Sequence, residues 1–487
     1  MYGDGLHGDI VDSYSVVANM SYLGREYSVS ATIDLIDLGH EYLYRISLPY
    51  SNKVLEEARA YIDAAKRELG YSNDFLRNPI ETVLSHLDKA ISRVGEEDRI
   101  RLGGLREAIK YYLVINYLGY GLVTFPLADE NVEDISCISP GREIRVWHKR
   151  FNDKGWLKTN IVLSDAELER LIFKFSFRTG RSVSLLTPVL EGVLPEGYRV
   201  TALYRRELSP MGSNFTIRKF RSKPYTILEL VDRGFMNTWL AAVLWRILEL
   251  KKFMFIIGPS GSGKTTLLNA LANLIHPNSK IISIEDIQEL HLPYHPGWKP
   301  LVTREGGYAK DYTIFDLVRI ALRERADYIL LGESRGEEAR LIFQGAATGH
   351  GCLTTFHAST LDELIARLVA KPISVDREML DLIDTVVIVN YERNGGGVVR
   401  RVVKVFRYLD GWRSIYSAGV GGEAKIINTR DVSDLGLSTV ARHESFLKYL
   451  LKLGATSPRE FIDRVRMYYD GKYRFKGGNW VLVDVVD

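Results

Sequence analysis

One segment of the chain has the residue types and spacing of a phosphate-binding loop. Residues 258–265, Gly-Pro-Ser-Gly-Ser-Gly-Lys-Thr, match the pattern G-x-x-x-x-G-K-[ST] at every fixed position. Glycines let backbone N–H groups curl around phosphate oxygens, the lysine reaches the β- and γ-phosphates, and the following hydroxyl binds Mg²⁺. The residues predicted to bind ATP are Gly258, Ser260, Gly261, Ser262, Gly263, Lys264, Thr265 and Thr266.

The segments on either side of this loop are those that the chemistry needs. Phe253–Ile257 is a continuous apolar run, typical of a buried parallel strand, and Thr266–Leu271 has the composition of a helix. A strand, a glycine loop and a helix in this order bring the positive end of the helix dipole to the phosphates. A chance glycine-rich turn would lack this context, so the sequence predicts a site for ATP with Mg²⁺.

Ionisable residues flank three later apolar runs. Glu285, Glu333 and His357 each come at the end of a run, and His350 precedes the last one. Ligands of a doubly wound sheet bind at the carboxyl ends of its strands, so we expect these residues near the phosphate loop. One carboxylate would hold Mg²⁺, the other would orient or deprotonate water, and a histidine would stabilise the γ-phosphate. A lone carboxylate is more often a solvated loop charge and a lone histidine a structural residue, but here they converge on one domain.

Periodicity divides the chain into four stretches that would position these residues. Residues 1–118 combine strand alternation, as in Tyr42–Leu48, with helical spacing, which predicts an α+β accessory region. Residues 119–225 mix strands and helices. Strands and helices alternate over 226–409, which indicates a parallel sheet covered by helices, and residues 410–487 are expected to form a helical extension.

Composition excludes several classes of protein. The 487 residues include 64 basic and 61 acidic side chains, so nothing in the net charge of +3 points to nucleic acid. Two cysteines, Cys137 and Cys352, form neither a disulfide framework nor a metal clip, which favours a reducing, intracellular compartment. The N-terminus lacks the pattern of a signal peptide.

An uncharged stretch, Tyr111–Ala128, is long enough to be considered as a membrane span. Glycine, asparagine and proline residues interrupt it. These breakers favour a buried helix that ends near Gly119, followed by a turn and a strand.

The order of the motifs resembles that of the secretion superfamily ATPases, the motors of type II secretion, type IV secretion, type IV pili and the archaeal flagellum. The Walker A, Asp, Walker B and His boxes of that family have counterparts in the phosphate loop, Ile284-Glu285-Asp286 with Glu289, Asp327–Glu333 followed by Ser334–Ala339, and Gly349–Gly351 with Thr355–Ala358. The resemblance extends from near Gly119 to Leu409. The chain lacks the cysteine cluster of many bacterial type II members, which favours an archaeal-type member.

The resemblance implies a RecA-like P-loop motor domain behind an α/β N-terminal domain, with the α+β region added before them. It also implies Mg²⁺-dependent ATP hydrolysis that drives movement between the two lobes. The expected partners are other copies of the chain in a homo-hexamer, a polytopic membrane platform protein at the cytoplasmic face, and, indirectly, pilin-like filament subunits. Within the site, it makes Glu285 the water-activating base and Glu333, with Thr265, the Mg²⁺-side group, although the sequence leaves these two carboxylate roles interchangeable.

The family also suggests a role for an arginine-rich stretch before the motor domain. In relatives, arginines of the N-terminal domain close over the nucleotide, and guanidinium groups suit this because they make forked contacts to phosphate. Arg218 is the first candidate, ahead of Arg199, Arg205, Arg206 and Arg221. The alternative is a solvated basic face or a set of arginine–carboxylate pairs.

Two other functions fit the phosphate loop. A nucleic-acid translocase or helicase on the same fold gains support from the arginine stretch, whereas the balanced charge and the lack of another nucleic-acid element oppose it. A non-hydrolysing nucleotide-binding regulator would lack a catalytic carboxylate, but Glu285 and Glu333 are both present. The identity of the filament and the direction of the motor are left open.

Overall fold

The chain folds into two units, Met1–Phe220 and Arg221–Asp487. The fold comes from a computed structural model, which describes residues 8–69, 77–93, 96–219, 224–303, 311–334, 336–394, 397–418, 424–426, 430–455, 457–476 and 479–482. No helix in this described part combines the length and the apolar character that a membrane span needs.

The first unit is built on a sheet of nine strands. Its spatial order is β1-β2-β3-β6-β5-β4-β9-β8-β7, in which β3 and β6 run parallel and the other neighbours run antiparallel. The pairing of β3 with β6 joins the strands of residues 1–118 to those of residues 119–225 in a single sheet. The strands are β1 (Asp9–Tyr22), β2 (Arg25–Asp37), β3 (Tyr42–Ser47), β4 (Val132–Cys137), β5 (Glu143–His148), β6 (Trp156–Val162), β7 (Val189–Val193), β8 (Arg199–Leu203) and β9 (Asn214–Arg218).

A buried carboxylate also connects these two parts of the first unit. Asp129 precedes β4, is 2% exposed, and accepts hydrogen bonds from the hydroxyl groups of Tyr14 on β1 and Tyr44 on β3, at 2.6 and 2.9 Å. Burial near this carboxylate raises the pKa of both phenols. The tyrosines therefore stay protonated and satisfy a charge that would otherwise be costly to bury.

Helices of the first unit follow the predicted apolar spacing. Ala58 and Ile62, on one face of the first helix, are fully buried. The uncharged stretch is not a single element: a π-helical turn ends at Leu118, and a short helix, not the predicted strand, occupies Thr124–Ala128. The helical segments are Asn52–Leu69, Pro79–Ile91, Glu96–Leu113, Val114–Leu118, Thr124–Ala128, Lys149–Lys154 (3₁₀) and Asp165–Thr179.

The second unit contains another sheet of nine strands, in the order β12-β11-β13-β14-β10-β15-β16-β17-β18. The six strands β10 to β15 run parallel, as predicted for alternating strands and helices, and β16, β17 and β18 extend the sheet antiparallel. This is a RecA-like motor fold, with β14 inserted between the phosphate-loop strand β10 and β13. The strands are β10 (Phe253–Ile257), β11 (Ile281–Glu285), β12 (Trp298–Val302), β13 (Tyr328–Leu331), β14 (Gly351–Phe356), β15 (Ile383–Asn394), β16 (Gly397–Tyr408), β17 (Trp412–Ala418) and β18 (Ala424–Ile426).

Helices cover both faces of this second sheet. Successive side chains of a strand point to opposite faces, and accordingly Met254 and Ile256 of β10 belong to one hydrophobic core while Phe253, Phe255 and Ile257 belong to the other. The sheet is thus the middle layer of three. The helical segments are Ile227–Asp232, Thr238–Glu249, Lys264–Ala272, Ile314–Ala321, Glu338–Ala347, Leu361–Val369, Arg377–Leu382 (3₁₀), Arg430–Leu435 (3₁₀), Leu437–Lys452 and Pro458–Tyr469.

The C-terminal stretch is not wholly helical, in contrast to the expected helical extension. Strands β17 and β18 lengthen the motor sheet, and a separate hairpin pairs β19 (Tyr473–Lys476) with β20 (Asn479–Leu482). The stretch does contain two longer helices, Leu437–Lys452 and Pro458–Tyr469.

Candidate active site

The phosphate loop connects β10 to the helix Lys264–Ala272. Gly258, Gly261 and Gly263 have positive φ angles of 156°, 73° and 99°, which L side chains rarely adopt. A Cβ atom on Gly258 would overlap the carbonyl oxygen of Val389, and one on Gly263 would lie 3.1 Å from the ring of Phe235. The glycines are therefore needed both for the turn and for close packing against the rest of the domain.

The side chains of the loop fit a phosphate group. Lys264 is buried, and its Nζ donates hydrogen bonds to the carbonyl oxygens of Gly258 and Pro259, each at 3.0 Å. The Ser262 hydroxyl is buried and has no hydrogen-bond partner among the described residues. A glycine cradle that contains a cation and an unsatisfied hydroxyl, at the N-terminus of a helix, is suited to bind phosphate oxygens.

A chain of close polar contacts joins the loop to two of the predicted strand-end residues. His357 Nδ1 lies 3.4 Å from Lys264 Nζ, and His357 Nε2 lies 2.9 Å from Glu333 Oε1. An ammonium group can only donate, so Nδ1 is the acceptor, and the proton of the neutral ring is then on Nε2, which faces the carboxylate. The imidazole thus fixes the distance between the lysine and Glu333.

Hydroxyl groups hold the end of β13, and with it Glu333, against β14. Thr355 Oγ1 donates to the carbonyl oxygen of Gly332 at 2.6 Å, and the backbone N–H of Ser334 donates to the carbonyl oxygen of Thr355 at 3.0 Å. A 2.6 Å hydrogen bond also joins the hydroxyl groups of Ser334 and Thr354. The sequence reasoning missed these residues, although two threonines inside an otherwise apolar strand are an unusual feature.

Glu285 occupies a deeper position at the end of β11. Its side chain is 4% exposed, and its Oε1 accepts the backbone N–H groups of Glu289 and Leu290, both at 3.0 Å. It packs so closely beneath Gly332 that a Cβ atom there would lie 2.7 Å from the Glu285 Cγ. Burial raises the pKa of this carboxyl to about 7 despite the two backbone hydrogen bonds. Such a pKa suits a general base, and the same carboxylate also holds the segment that follows β11.

The structure does not bring His350 into this group. His350 precedes β14, and His357 follows it, so the six-residue strand separates them by about 20 Å. The His350 Nδ1 instead lies 3.1 Å from the carbonyl oxygen of Gly345 and 3.0 Å from the Thr348 hydroxyl, at the end of a helix. Its contacts are those of a helix-terminating residue, in contrast to the predicted catalytic role.

The arginine-rich stretch lies in the first unit, and its members differ in their surroundings. Arg205 makes a forked pair with Glu169 at 3.0 and 3.2 Å, as the arginine–carboxylate alternative expects. Arg199 has a 4.0 Å contact with Glu191, and Arg218 is exposed at the end of β9. Arg206 is also exposed, and Arg221 lies outside the described residues.

A comparison with known families identifies the domain that contains the loop. Residues 147–389 match the model of the family described as "Type II/IV secretion system protein". The chain belongs to this family. The match includes β10, the phosphate loop, Glu285, Glu333 and His357, and therefore every member of the site described above.

Individual relatives of this secretion-family chain come from archaea and bacteria. It is 41% identical to an uncharacterized protein of Methanocaldococcus jannaschii over 62% of this chain and 54% of that protein. It is 29% identical to the type IV secretion system protein PtlH of Bordetella pertussis, over 57% of this chain and 91% of that protein. The chain spans about half the length of the first curated relatives that it matches.

A solved structure also matches the secretion-family chain. The VirB11 ATPase from the Brucella suis type IV secretion system, in complex with sulphate, is 26% identical to it. The match covers 58% of this chain and 90% of that one, with a TM-score of 0.30.

The donors present fit Mg²⁺ that arrives with a nucleotide. The described residues contain no group of three or more His, Cys, Asp or Glu that could hold a metal by itself. Thr265 and Thr266 lie in the first turn of the helix after the loop, and Glu333 lies just after the end of β13, which β14 separates from the strand of the loop. Hydroxyl and carboxylate oxygens suit Mg²⁺, which takes its remaining ligands from phosphates and water.

The raised pKa of Glu285 predicts a pH dependence of stability. The folded state keeps the proton up to about pH 7, whereas the unfolded carboxyl loses it near its ordinary pKa of 4.5. The contribution of protonated Glu285 to the stability of the fold is therefore complete below pH 4.5 and is lost as the pH rises through 7. The unfolding free energy of the unsubstituted protein should fall between pH 5 and pH 8, and in Glu285→Gln this fall should be smaller by about 2–3 kcal/mol. Urea denaturation at each pH measures the difference.

The exposed carboxylate of Glu289 provides the matched control. Glu289→Gln removes a charge from the same segment and should leave most of the pH dependence in place, because burial, and not the Glu289 charge, is the main cause of the raised Glu285 pKa. Equal slopes in Glu285→Gln and in the unsubstituted protein would contradict the assignment of a raised pKa to Glu285.

Proposed function

We propose that the chain is an ATP hydrolase that uses Mg²⁺. The observation that carries the proposal is the chain of close polar contacts from Lys264 through His357 to Glu333, beside a glycine loop with a buried cation. Each group has one function in phosphoryl transfer, and the family to which the chain belongs includes proteins described as ATPases.

The residues of the site divide the chemistry between them. Lys264 and the loop N–H groups would bind the β- and γ-phosphate oxygens, while Thr265 and Glu333 would hold Mg²⁺, which would supply positive charge beside the phosphates. His357 keeps Lys264 and Glu333 at a fixed separation. Glu285, with a pKa raised to about 7, accepts the proton of the attacking water.

We further propose that hydrolysis drives the assembly or secretion of a type IV pilus-like filament. The family membership supports this proposal, and so does the similarity to PtlH, a type IV secretion system protein. The motor would be a homo-hexamer at the cytoplasmic face of the membrane, bound to a polytopic platform protein that handles pilin-like subunits. The balanced charge of the chain supports a protein partner over a nucleic acid.

Two substitutions in the site, one in the phosphate loop and one after β13, separate ATP binding from ATP hydrolysis. Lys264→Ala removes the cation on the phosphates and should weaken ATP binding and abolish turnover. Glu333→Gln keeps the size of the side chain and should retain ATP while slowing hydrolysis by roughly a hundredfold. Equilibrium ATP binding and phosphate release measure the two effects, and Lys404→Ala, an equal charge change on β16, is the control. Normal turnover in Lys264→Ala would exclude the loop as the site.

The class of partner is tested by stimulation of the ATPase. A filament motor should co-purify with a polytopic membrane protein, and its turnover should rise when that protein is added in detergent. Single- or double-stranded DNA should change turnover by less than about twofold, because the net charge gives no general attraction for phosphate backbones. Strong stimulation by DNA without any membrane partner would favour the translocase.

An arginine of the first unit is proposed to complete the site in the ring. Arg218 is exposed at the end of β9 and lies near Asp134. Burial raises the pKa of the Asp134 carboxyl, and the positive charge of Arg218 partly offsets this rise. Arg218→Ala should lower turnover at saturating ATP without changing the unfolding temperature. Arg205→Ala, which breaks only the pair with Glu169, is the control.

The ring itself predicts that turnover depends on assembly. ATP should promote a larger oligomer in light scattering, and specific activity should fall as the protein is diluted. Constant specific activity down to the monomer would contradict the ring mechanism and leave the phosphate-loop assignment intact.

A further inference from the structure

The antiparallel strands β15 and β16 pack against one side of the phosphate loop. The carbonyl oxygen of Val389 on β15 lies where a Cβ atom of residue 258 would be. On β16, the backbone N–H of Val402 donates to the carbonyl oxygen of Phe235 at 2.8 Å, and the Phe235 ring packs on Gly263. The hairpin therefore contacts the loop directly at its beginning and indirectly at its end.

Arg400 on β16 adds a contact at the tip of the loop. Its Nε donates a 2.8 Å hydrogen bond to the carbonyl oxygen of Gly261, and its Cδ would lie 3.9 Å from a Cβ atom on Gly263. This contact crosses 139 positions of sequence, so it depends on the folded sheet. It is the contact of a side chain that the phosphate-loop motif does not include.

The surroundings of Arg400 differ from those of its neighbour Arg401. Arg401 is mostly buried and pairs with Glu392 at 3.2 Å. Arg400 is exposed, and among the described residues no carboxylate forms an ion pair with it. An exposed arginine that donates to a backbone carbonyl rather than to a carboxylate restrains the backbone at that point.

The hydrogen bond from Arg400 restrains the peptide group between Gly261 and Ser262, whose N–H is available to a phosphate oxygen. A trans peptide is planar, so the C=O of Gly261 and the N–H of Ser262 point in opposite directions. Holding the Gly261 carbonyl toward β16 directs the Ser262 N–H away from β16. Gly261, with φ at 73°, has no side chain to resist rotation, and the Ser262 N–H has only a long 3.4 Å hydrogen bond to the carbonyl of Pro259.

We propose that Arg400 is a positioning residue for the phosphate loop, which fixes the Gly261–Ser262 peptide in the orientation that binds the diphosphate of a nucleotide. The inference rests on the proposed function, because it requires that the loop binds nucleotide. Preorganisation of this kind strengthens binding by removing the cost of ordering the loop. Because the contact is to the loop and not to the reacting phosphate, it affects ADP and ATP alike.

The test compares Arg400→Ala, Arg400→Lys and the control Lys404→Ala. Lys404 lies on the same strand and contacts the ring of Phe406, so its replacement changes the charge equally without touching the loop. Loss of a hydrogen bond from a charged group should weaken ADP binding by roughly tenfold in Arg400→Ala, with a similar rise in KM for ATP and kcat within about twofold. Arg400→Lys keeps a cationic donor and should recover part of the affinity. Calorimetric titration with ADP and steady-state kinetics give these values.

Three outcomes would overturn the proposal. Equal ADP affinity in Arg400→Ala and Lys404→Ala would remove any role in binding. A loss confined to ATP would indicate a contact with the γ-phosphate. A fall in the unfolding temperature of the nucleotide-free Arg400→Ala protein below that of Lys404→Ala, without recovery in Arg400→Lys, would indicate a purely structural role. Failure of the unsubstituted protein to bind ADP would instead contradict the proposed function.

Discussion

The chain of close polar contacts between Lys264, His357 and Glu333 imposes the arrangement on which the rest of the site depends. Its three members follow β10, β14 and β13, and they meet because these strands run parallel and lie side by side in that order. Any other strand order would place a gap of at least one strand, about 5 Å, in the chain. The sheet topology and the chemistry of the site are therefore a single constraint.

Close approaches of backbone and side chains tighten this constraint. A Cβ atom at residue 258, 263 or 332 would meet Val389, Phe235 or Glu285, respectively. Glycine at these positions lets the loop, the hairpin β15–β16 and the end of β13 lie within van der Waals contact of one another. Gly332 lets the end of β13 pack directly on Glu285, and burial of that carboxyl raises its pKa.

The sequence predicts the local features of this site better than the distant ones. The loop motif and the apolar runs of β10, β11, β13 and β14 are periodic and local, and the structure contains each of them. The short helix Thr124–Ala128 was mistaken for a strand because an uncharged, proline-containing stretch has no clear period. The sequence did not indicate where His350 lies. His350 and His357 are only seven residues apart, but the extended strand β14 between them places them at its opposite ends. No local pattern in the sequence indicates that Arg400 contacts the phosphate loop, because this contact depends on the pairing of distant strands in the sheet.

Buried charges make the C-terminal stretch part of the motor unit. Arg407 on β16 is fully buried and forms forked hydrogen bonds with Asp384 of β15 and with Asp434, which follows β18, and the arginine lowers the pKa of Asp434. His443 stacks on Trp245 and pairs with Glu249 at 3.2 Å. A buried ion that loses its partner costs about 3–5 kcal/mol, so Arg407 favours a packed stretch that keeps Asp434 beside it. β16 carries both Arg407 and Arg400, and the strand that positions the phosphate loop is thereby anchored to the C-terminal helices.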